Sequence, residues 1–321
     1  MSQQSSGARQ APAPTADRKP GHAEAVTPAQ RRIAVVLLFV APALFAANML
    51  TARATHELVP PVALAFWRWA ATLALLLPFV GATLWRQRDL VLREWKDLLL
   101  LGALGMGICG AFVYIGADTT TATNIGLIYA ASPILIVLIA RCGYGEPFGA
   151  RQGLGIALCL VGVVAIVCRG EPAMLRALAF VPGDIWILAA TISWALYSVL
   201  LRHRESALGA MTRFAAIVLG GLVVLAPFHL GEALAGDIPQ LTPETVAAVA
   251  FLALVASFGA YQVYALIQRR LGAGTTALLM YLIPLYNGLL AWLLLGERIE
   301  AYHLAGAALL LPGIWLATRR G

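Results

Sequence analysis

Ten stretches of 18 to 24 predominantly apolar residues recur along the chain, at 33–52, 61–84, 97–116, 119–141, 151–168, 182–202, 208–228, 244–267, 273–295 and 301–318. About 20 apolar residues in a helix cross about 30 Å of hydrocarbon. In that medium every backbone N–H and C=O needs a partner within the protein, so ten such stretches predict an all-α polytopic membrane protein of ten transmembrane helices. The composition agrees. Of the 321 residues, 60% belong to the set Ala, Val, Ile, Leu, Met, Phe, Trp, Tyr and Cys and only 12% are charged, against about 25% charged in soluble domains. Start signals mark several borders: Pro60 and Pro61 at the second stretch, Asp118 at the fourth, Gly183 and Asp184 at the sixth, and Thr242-Pro243-Glu244 at the eighth.

Residues 1–32 are rich in Ser, Gln, Ala and Pro, too polar to bury enough surface to fold, and are read as a disordered cytoplasmic tail. The apolar run that follows is a retained span, because the polar stretch ahead of it is too long for a signal peptide and nine more spans come after. The net charge of +7 raises the question of nucleic acid, and the placement of the charges answers it. With loops assigned alternately to the two sides, 17 of the 23 Lys and Arg fall on the side of both termini and four on the other, while Arg68 and Arg213 lie inside spans. By the positive-inside rule both termini are cytoplasmic, and the basic balance records topology rather than a nucleic-acid partner. Cys109, Cys142, Cys159 and Cys168 form no C-x-x-C pair, and no disulfide framework or metal site is expected.

Shifted by 151 residues, the chain matches itself without a gap from Ala122 against Ala273 onward: Pro133 meets Pro284, Gly145 meets Gly296, Glu146 meets Glu297, Gly155 meets Gly306 and Gly162 meets Gly313. Ala and Leu coincidences are cheap in such a sequence; five Pro, Gly and Glu matches at one offset are not. A weaker match sets Arg68-Trp69-Ala70-Ala71 against Arg213-Phe214-Ala215-Ala216. The repeats are residues 33–168 and 182–318, with five helices each. Five is odd, so the two halves are expected to be inverted in the membrane, the architecture of alternating-access carriers.

The run from Pro133 through Glu146 followed by Gly155 and Gly162, repeated as Tyr281-Leu282-Ile283-Pro284 through Gly296-Glu297, resembles the EamA-type permease family of the drug/metabolite transporter superfamily, over residues 33–318. The resemblance implies a bacterial inner-membrane permease of ten helices, in many relatives an exporter of amino acids or other small metabolites. These motifs mark the scaffold that all branches share and carry no substrate assignment. Asn287 stands where a small or apolar residue is expected, and Pro147 where a larger or charged one is common.

The candidate chemistry lies on polar faces at helical spacing. Ser257, Tyr261, Tyr264 and Gln268 form one stripe of the eighth helix; Thr191, Trp194 and Ser198 with Tyr197 mark the sixth, Asn124, Tyr129 and Ser132 the fourth, Phe45 and Asn48 the first, and Tyr281 and Asn287 the ninth. Two readings stand open: hydrogen bonds between packed helices, or a shared midplane cavity lined by helices one, four, six, eight and nine. Tyr and Trp there would suit an amphiphilic solute with a flat or apolar side chain. Arg68 and Arg213 either snorkel or bind carbonyls, or contact an anionic substrate group or form part of a gate, with Arg68 the better placed beside Trp67 and Trp69. Pro133 and Pro284 each remove a backbone hydrogen bond in mid-helix and are candidate paired hinges. Glu146 and Glu297 follow a Gly at helix borders and are read as capping carboxylates rather than proton-coupling sites. Gly105, Gly107 and Gly110 spell the dinucleotide fingerprint inside a membrane helix with no preceding strand, where close helix packing is the reading.

The five His are scattered, and no ATP, zinc-hydrolase or serine-hydrolase motif occurs. The expectation is a secondary carrier, not an enzyme, with no cofactor or metal. It would export small amphiphilic metabolites, amino acids including aromatic ones first among them. The rivals are a membrane-embedded enzyme, a non-transporting scaffold and a proton-coupled exporter of purines or drugs.

Overall fold

A computed structural model describes residues 27–55, 58–176, 178, 180–295 and 299–318. The described residues are helical with no strand, and ten helices are long and apolar enough to cross a membrane. They are α1 (Pro28–Asn48), α2 (Pro61–Arg86), α3 (Trp95–Ala117), α4 (Asn124–Tyr144), α5 (Ala150–Val167), α6 (Pro182–His203), α7 (Ala210–Leu234), α8 (Pro243–Leu271), α9 (Ala273–Leu290) and α10 (Ala301–Thr318). All ten predicted stretches are present within a few residues. One border moves: Pro28–Arg32, assigned to the tail, are helical. Thr27 accepts from the Gln30 N–H at 3.3 Å while the Gln30 side chain accepts from the Thr27 N–H at 3.1 Å, a reciprocal cap followed by Pro28, and this outweighs the polarity of the segment. Residues 1–26, Gly296, Glu297 and Arg298 lie outside the described residues.

Helix ends follow local chemistry. Thr242 accepts from the Thr245 N–H at 3.2 Å ahead of α8, with Pro243 in the first turn. Gly145, at φ 66°, closes α4 with the Gly145 N–H on the Arg141 carbonyl and the Glu146 N–H on that of Ala140, a left-handed end that glycine adopts without a Cβ penalty.

Packing between spans relies on glycine. In α5 and α10 the contacts run antiparallel: a Cβ on Gly155 would sit 2.5 Å from the Gly313 carbonyl oxygen, and one on Gly162 would sit 2.9 Å from that of Gly306. Between α3 and α7, a Cβ on Gly102 would collide with the Gly221 backbone. Without a hydrophobic force between helices in lipid, such close backbone approach supplies the dispersion that holds them. Around these pairs α1 packs on α8 and α9, and α6 packs on α3 and α4.

Four of the spans are irregular. α3 winds as a π-helix over Ala103–Ile108 and α8 over Leu252–Gly259, positions that overlap under the 151-residue shift. α4 breaks at Ala130 and Ala131, and α9 at Leu278. Pro133 therefore stands in the first turn of the second piece of α4, where its missing N–H costs least, whereas Pro284 lies inside Leu279–Leu295.

Candidate functional site

The irregular helices put backbone carbonyls where other helices can reach them. In the π stretch of α3, the Leu104 carbonyl accepts from Ser193 Oγ of α6 at 2.8 Å and the Gly105 carbonyl from Tyr261 Oη of α8 at 3.1 Å. In that of α8, the Ala253 carbonyl accepts from Thr72 Oγ1 of α2 at 3.4 Å. Side chains from neighbouring helices thus meet the backbone groups that a π stretch exposes, as a lipid setting demands.

Tyr261 is the hub of an aromatic cluster. Its ring centroid lies 5.0 Å from Trp69, 5.7 Å from Trp194, 5.9 Å from Tyr197 and 6.1 Å from both Phe45 and Phe214. Edge-on pairs such as Tyr261 with Trp69 and with Trp194 set a positive ring rim against a negative face, worth about 0.5–1.5 kcal/mol each beyond burial. Tyr264, one turn on, donates to Ser198 Oγ at 2.8 Å, and Gln268 Nε2 donates to the Ser198 carbonyl at 2.7 Å. The stripe predicted on the eighth helix is buried along its length, from 0% exposure at Ser257 and Tyr264 to 7% at Tyr261. Among the described residues these rings and hydroxyls pack against one another around Tyr261.

Two ends flank the cluster. At one, Arg68 Nη1 donates to Asn48 Oδ1 at 2.9 Å, and Tyr114 Oη donates to the same oxygen at 3.0 Å. Tyr129 of α4 lies beside buried Cys109 of α3. At the other, Arg202 donates from Nη1 to the Gln268 carbonyl at 2.6 Å and from Nε to Glu146 Oε1 at 2.8 Å. His203 Nε2 lies 3.3 Å from the same oxygen, and its ring stacks on Tyr144 at 4.0 Å. Glu146 thus bridges the ends of α4, α6 and α8. It is not held at the N-terminus of α5, where Gly149 caps without a side-chain bond.

Of the sequence candidates, Asn48, Arg68, Tyr129, Trp194, Tyr197, Ser257, Tyr261 and Tyr264 lie in or beside the cluster. Tyr281 does not: it lies within electrostatic reach of Cys159 of α5, and no ring contact joins it to the cluster among the described residues. Asn287 is half-buried with no bond from its Oδ1. Asn124, grouped with the polar face of the fourth helix, instead donates to both oxygens of buried Asp184 at 3.1 and 2.9 Å, near the start of α6. Arg213 donates to the carbonyls of Leu201 and Arg204 at the end of α6, the carbonyl-binding role. Sequence reasoning missed Phe214 and the Glu146–Arg202–His203 bridge. The signal for Phe214 was in the weaker repeat match, since Trp69 and Phe214 are paired there and their rings meet at 6.4 Å.

Burial leaves several polar atoms without partners, among them Arg68 Nε, Trp69 Nε1, Trp194 Nε1 and Ser257 Oγ. Buried polar groups are normally satisfied, so four orphans around one cluster single it out as the candidate site. A comparison of the sequence with known families gives the matching assignment: the model of the EamA-like transporter family fits residues 32–168 and again 181–319. The chain belongs to the EamA-like transporter family. It is similar to an "Uncharacterized transporter" of Archaeoglobus fulgidus, 27% identical over 89% of this chain and 97% of that protein. It is also similar to the "Uncharacterized transporter YyaM" of Bacillus subtilis, 25% identical over 83% of this chain and 87% of that one. A "Probable amino-acid metabolite efflux pump" of Salmonella typhimurium is 24% identical over 70% of this chain and 78% of that one. One solved structure superposes with a TM-score of 0.72 over 90% of this chain and 97% of that chain at 20% identity, a likeness of fold. The EamA-family chain is therefore a multi-pass membrane protein of the drug/metabolite transporter type.

Proposed function

We propose that this EamA-family protein is a secondary carrier that exports small amphiphilic metabolites by alternating access, amino acids including aromatic ones being the first class to test. One observation carries the reading: in a member of a transporter family, polar and aromatic side chains from α1, α2, α6, α7 and α8 converge on Tyr261 and leave buried donors unsatisfied. The relative named as an amino-acid metabolite efflux pump supports the substrate class.

In this reading the protein sits in the inner membrane with both termini cytoplasmic, as the loop charges suggest, and its two five-helix halves, residues 33–168 and 182–318, are inverted repeats. The reciprocal contacts of Gly155 with Gly313 and of Gly162 with Gly306 support this, because residues equivalent at an offset of 151 exchange places across an antiparallel pair. Rocking of one half on the other opens the cluster to each side in turn. Pro133 and Pro284 act as hinges, and Glu146 with Arg202 and His203 closes the cytoplasmic end.

Uptake and counterflow in proteoliposomes, with a panel of labelled amino acids and purines and with or without a pH gradient, test the proposal. Saturable counterflow of an amino acid is expected. Flux that appears only with the gradient would replace facilitated export by proton coupling, and no counterflow of any compound would remove the substrate assignment.

A further inference from the structure

We infer that Arg68 and Trp69 form a carboxylate subsite that makes the central cluster selective for amphiphilic organic anions. The inference deepens the carrier reading and rests on it. Arg68 is 3% exposed. Among the described residues its guanidinium makes one hydrogen bond, to Asn48, and its Nε has no partner. Its other neighbours are ring faces, Trp69 at 4.8 Å and Tyr114 at 5.7 Å from Cζ. Among the described residues no carboxylate pairs with it. A guanidinium withdrawn from water without a counter-ion is strongly disfavoured, and ring faces and one amide oxygen offset only part of that cost.

The repeat equivalent makes the contrast sharp. Arg213, aligned with Arg68, spends both Nη atoms on carbonyls at a helix end. Among the described residues Arg68 donates to no backbone carbonyl at a helix end, so the structural role that explains one arginine leaves the other unexplained.

A second donor points to the same spot. Trp69 Nε1 is buried and unpartnered in a side chain with 0% exposure. A Cβ on Gly110 of α3 would lie 3.3 Å from Trp69 Nε1 and 3.4 Å from Arg68 Nη2. One charged and one neutral N–H group therefore converge over a glycine whose missing side chain keeps their approach open. Two donors so placed match the two oxygens of a carboxylate, with the charge supplied by arginine. The apolar body of the ligand would then lie among Phe45, Trp194 and Tyr261, which adjoin Trp69 in the ring cluster.

Charge balance sets the preference. Three carboxylates near the helix ends are already engaged: Asp184 by Asn124, Thr120 and the Val181 N–H, Glu146 by Arg202, and Glu232 by the Val62 and Ala63 N–H groups. Among the described residues no carboxylate stands in the ring cluster to pair with a substrate ammonium. A deaminated aromatic acid keeps the whole attraction of Arg68, a zwitterionic amino acid gives part of it back, and an amine is repelled.

The test measures binding to the purified full chain by quenching of tryptophan fluorescence and by calorimetry, with 3-phenylpropanoate, phenylalanine, 3-phenylpropanol and phenethylamine as probes. 3-Phenylpropanoate is expected to bind at least as tightly as phenylalanine, and the alcohol and amine about tenfold or more weaker, the loss of a charge-assisted pair. Arg68→Gln should abolish this ranking by weakening the acid to the level of the alcohol. Gly110→Ala, which leaves Arg68 in place and meets only side-chain tips, should weaken the acid and spare the alcohol. Equal binding of acid and amine, unchanged acid affinity in both folded variants, or no binding of either carboxylate to the folded wild type would overturn the inference. Counterflow of 3-phenylpropanoate that persists undiminished in Arg68→Gln would overturn it while leaving the carrier reading intact.

Discussion

Glu146→Gln isolates the charge that joins α4, α6 and α8 at one end of the bundle. The substitution keeps the side chain's size and removes the anion that faces Arg202 Nε at 2.8 Å and His203 Nε2 at 3.3 Å. The side chains are partly exposed, 32% for Arg202 and 20% for Glu146, so water screens the pair well below its Coulomb energy in a dry interior. An exposed pair is worth about 0.2–1 kcal/mol; the upper end applies here because Arg202 is already fixed to the Gln268 carbonyl and loses little entropy on pairing. About 1 kcal/mol shifts an equilibrium between closed and open forms about fivefold. The assay is alkylation of a cysteine at the cluster, Ser198→Cys in a background with the four native cysteines replaced, by an impermeant thiol reagent in inside-out vesicles. Ser198 is fully buried beside Tyr264, so the reaction rate reports the open fraction. Glu146→Gln should raise the rate about fivefold, and high salt should raise it in the parent but much less in the variant, because salt screens an exposed pair. Unchanged rates for both Glu146→Gln and Arg202→Gln, in proteins that melt like the parent, would refute the assignment of a closing contact.

Tyr261→Phe combined with Tyr264→Phe keeps every ring but removes the bonds to the Gly105 carbonyl and Ser198 Oγ; interhelical bonds of this kind contribute about 0.6–1.7 kcal/mol each. Proteoliposome flux should fall severalfold with normal insertion, and undiminished flux would remove the pair from the site. Pro284→Ala should slow counterflow about threefold or more while binding changes by less than about twofold, since it stiffens a helix without touching the cluster; equal loss of both would contradict a hinge. Gly155→Val must push α10 away, because its Cβ would lie 2.5 Å from the Gly313 carbonyl oxygen. A loss of about 1–3 kcal/mol in thermal unfolding is expected, whereas Gly143→Val, with nothing within 4 Å of a Cβ, should unfold like the parent.

Periodicity and composition determined the architecture of this chain before any contact was known. A bilayer leaves few solutions to a sequence with ten apolar stretches, so span number and helix type were legible at the level of single segments. Local chemistry was legible too where it was used: Thr242 and Pro243 start α8 as expected, and Thr27 with Gln30 carried a cap that the polarity of the tail obscured. The faces of α6 and α8 pointed inward as their spacing required. What the sequence left open was which inward residues meet. Tyr281 and Tyr261 look alike in a helical projection, yet one lies near Cys159 and the other at the centre of the ring cluster, because helix crossing and the π stretches of α3 and α8 rotate faces in ways that no single-helix period encodes. Arg68 and Arg213 likewise share a repeat position and a sequence context, and only the packing separates them: the end of α6 offers its carbonyls to Arg213, while Arg68 faces aromatic rings and the bare backbone of Gly110. Burial in hydrocarbon is a property of each segment and can be read from it; the partner of a buried charge is a property of the whole assembly of helices, and tertiary structure alone decides it.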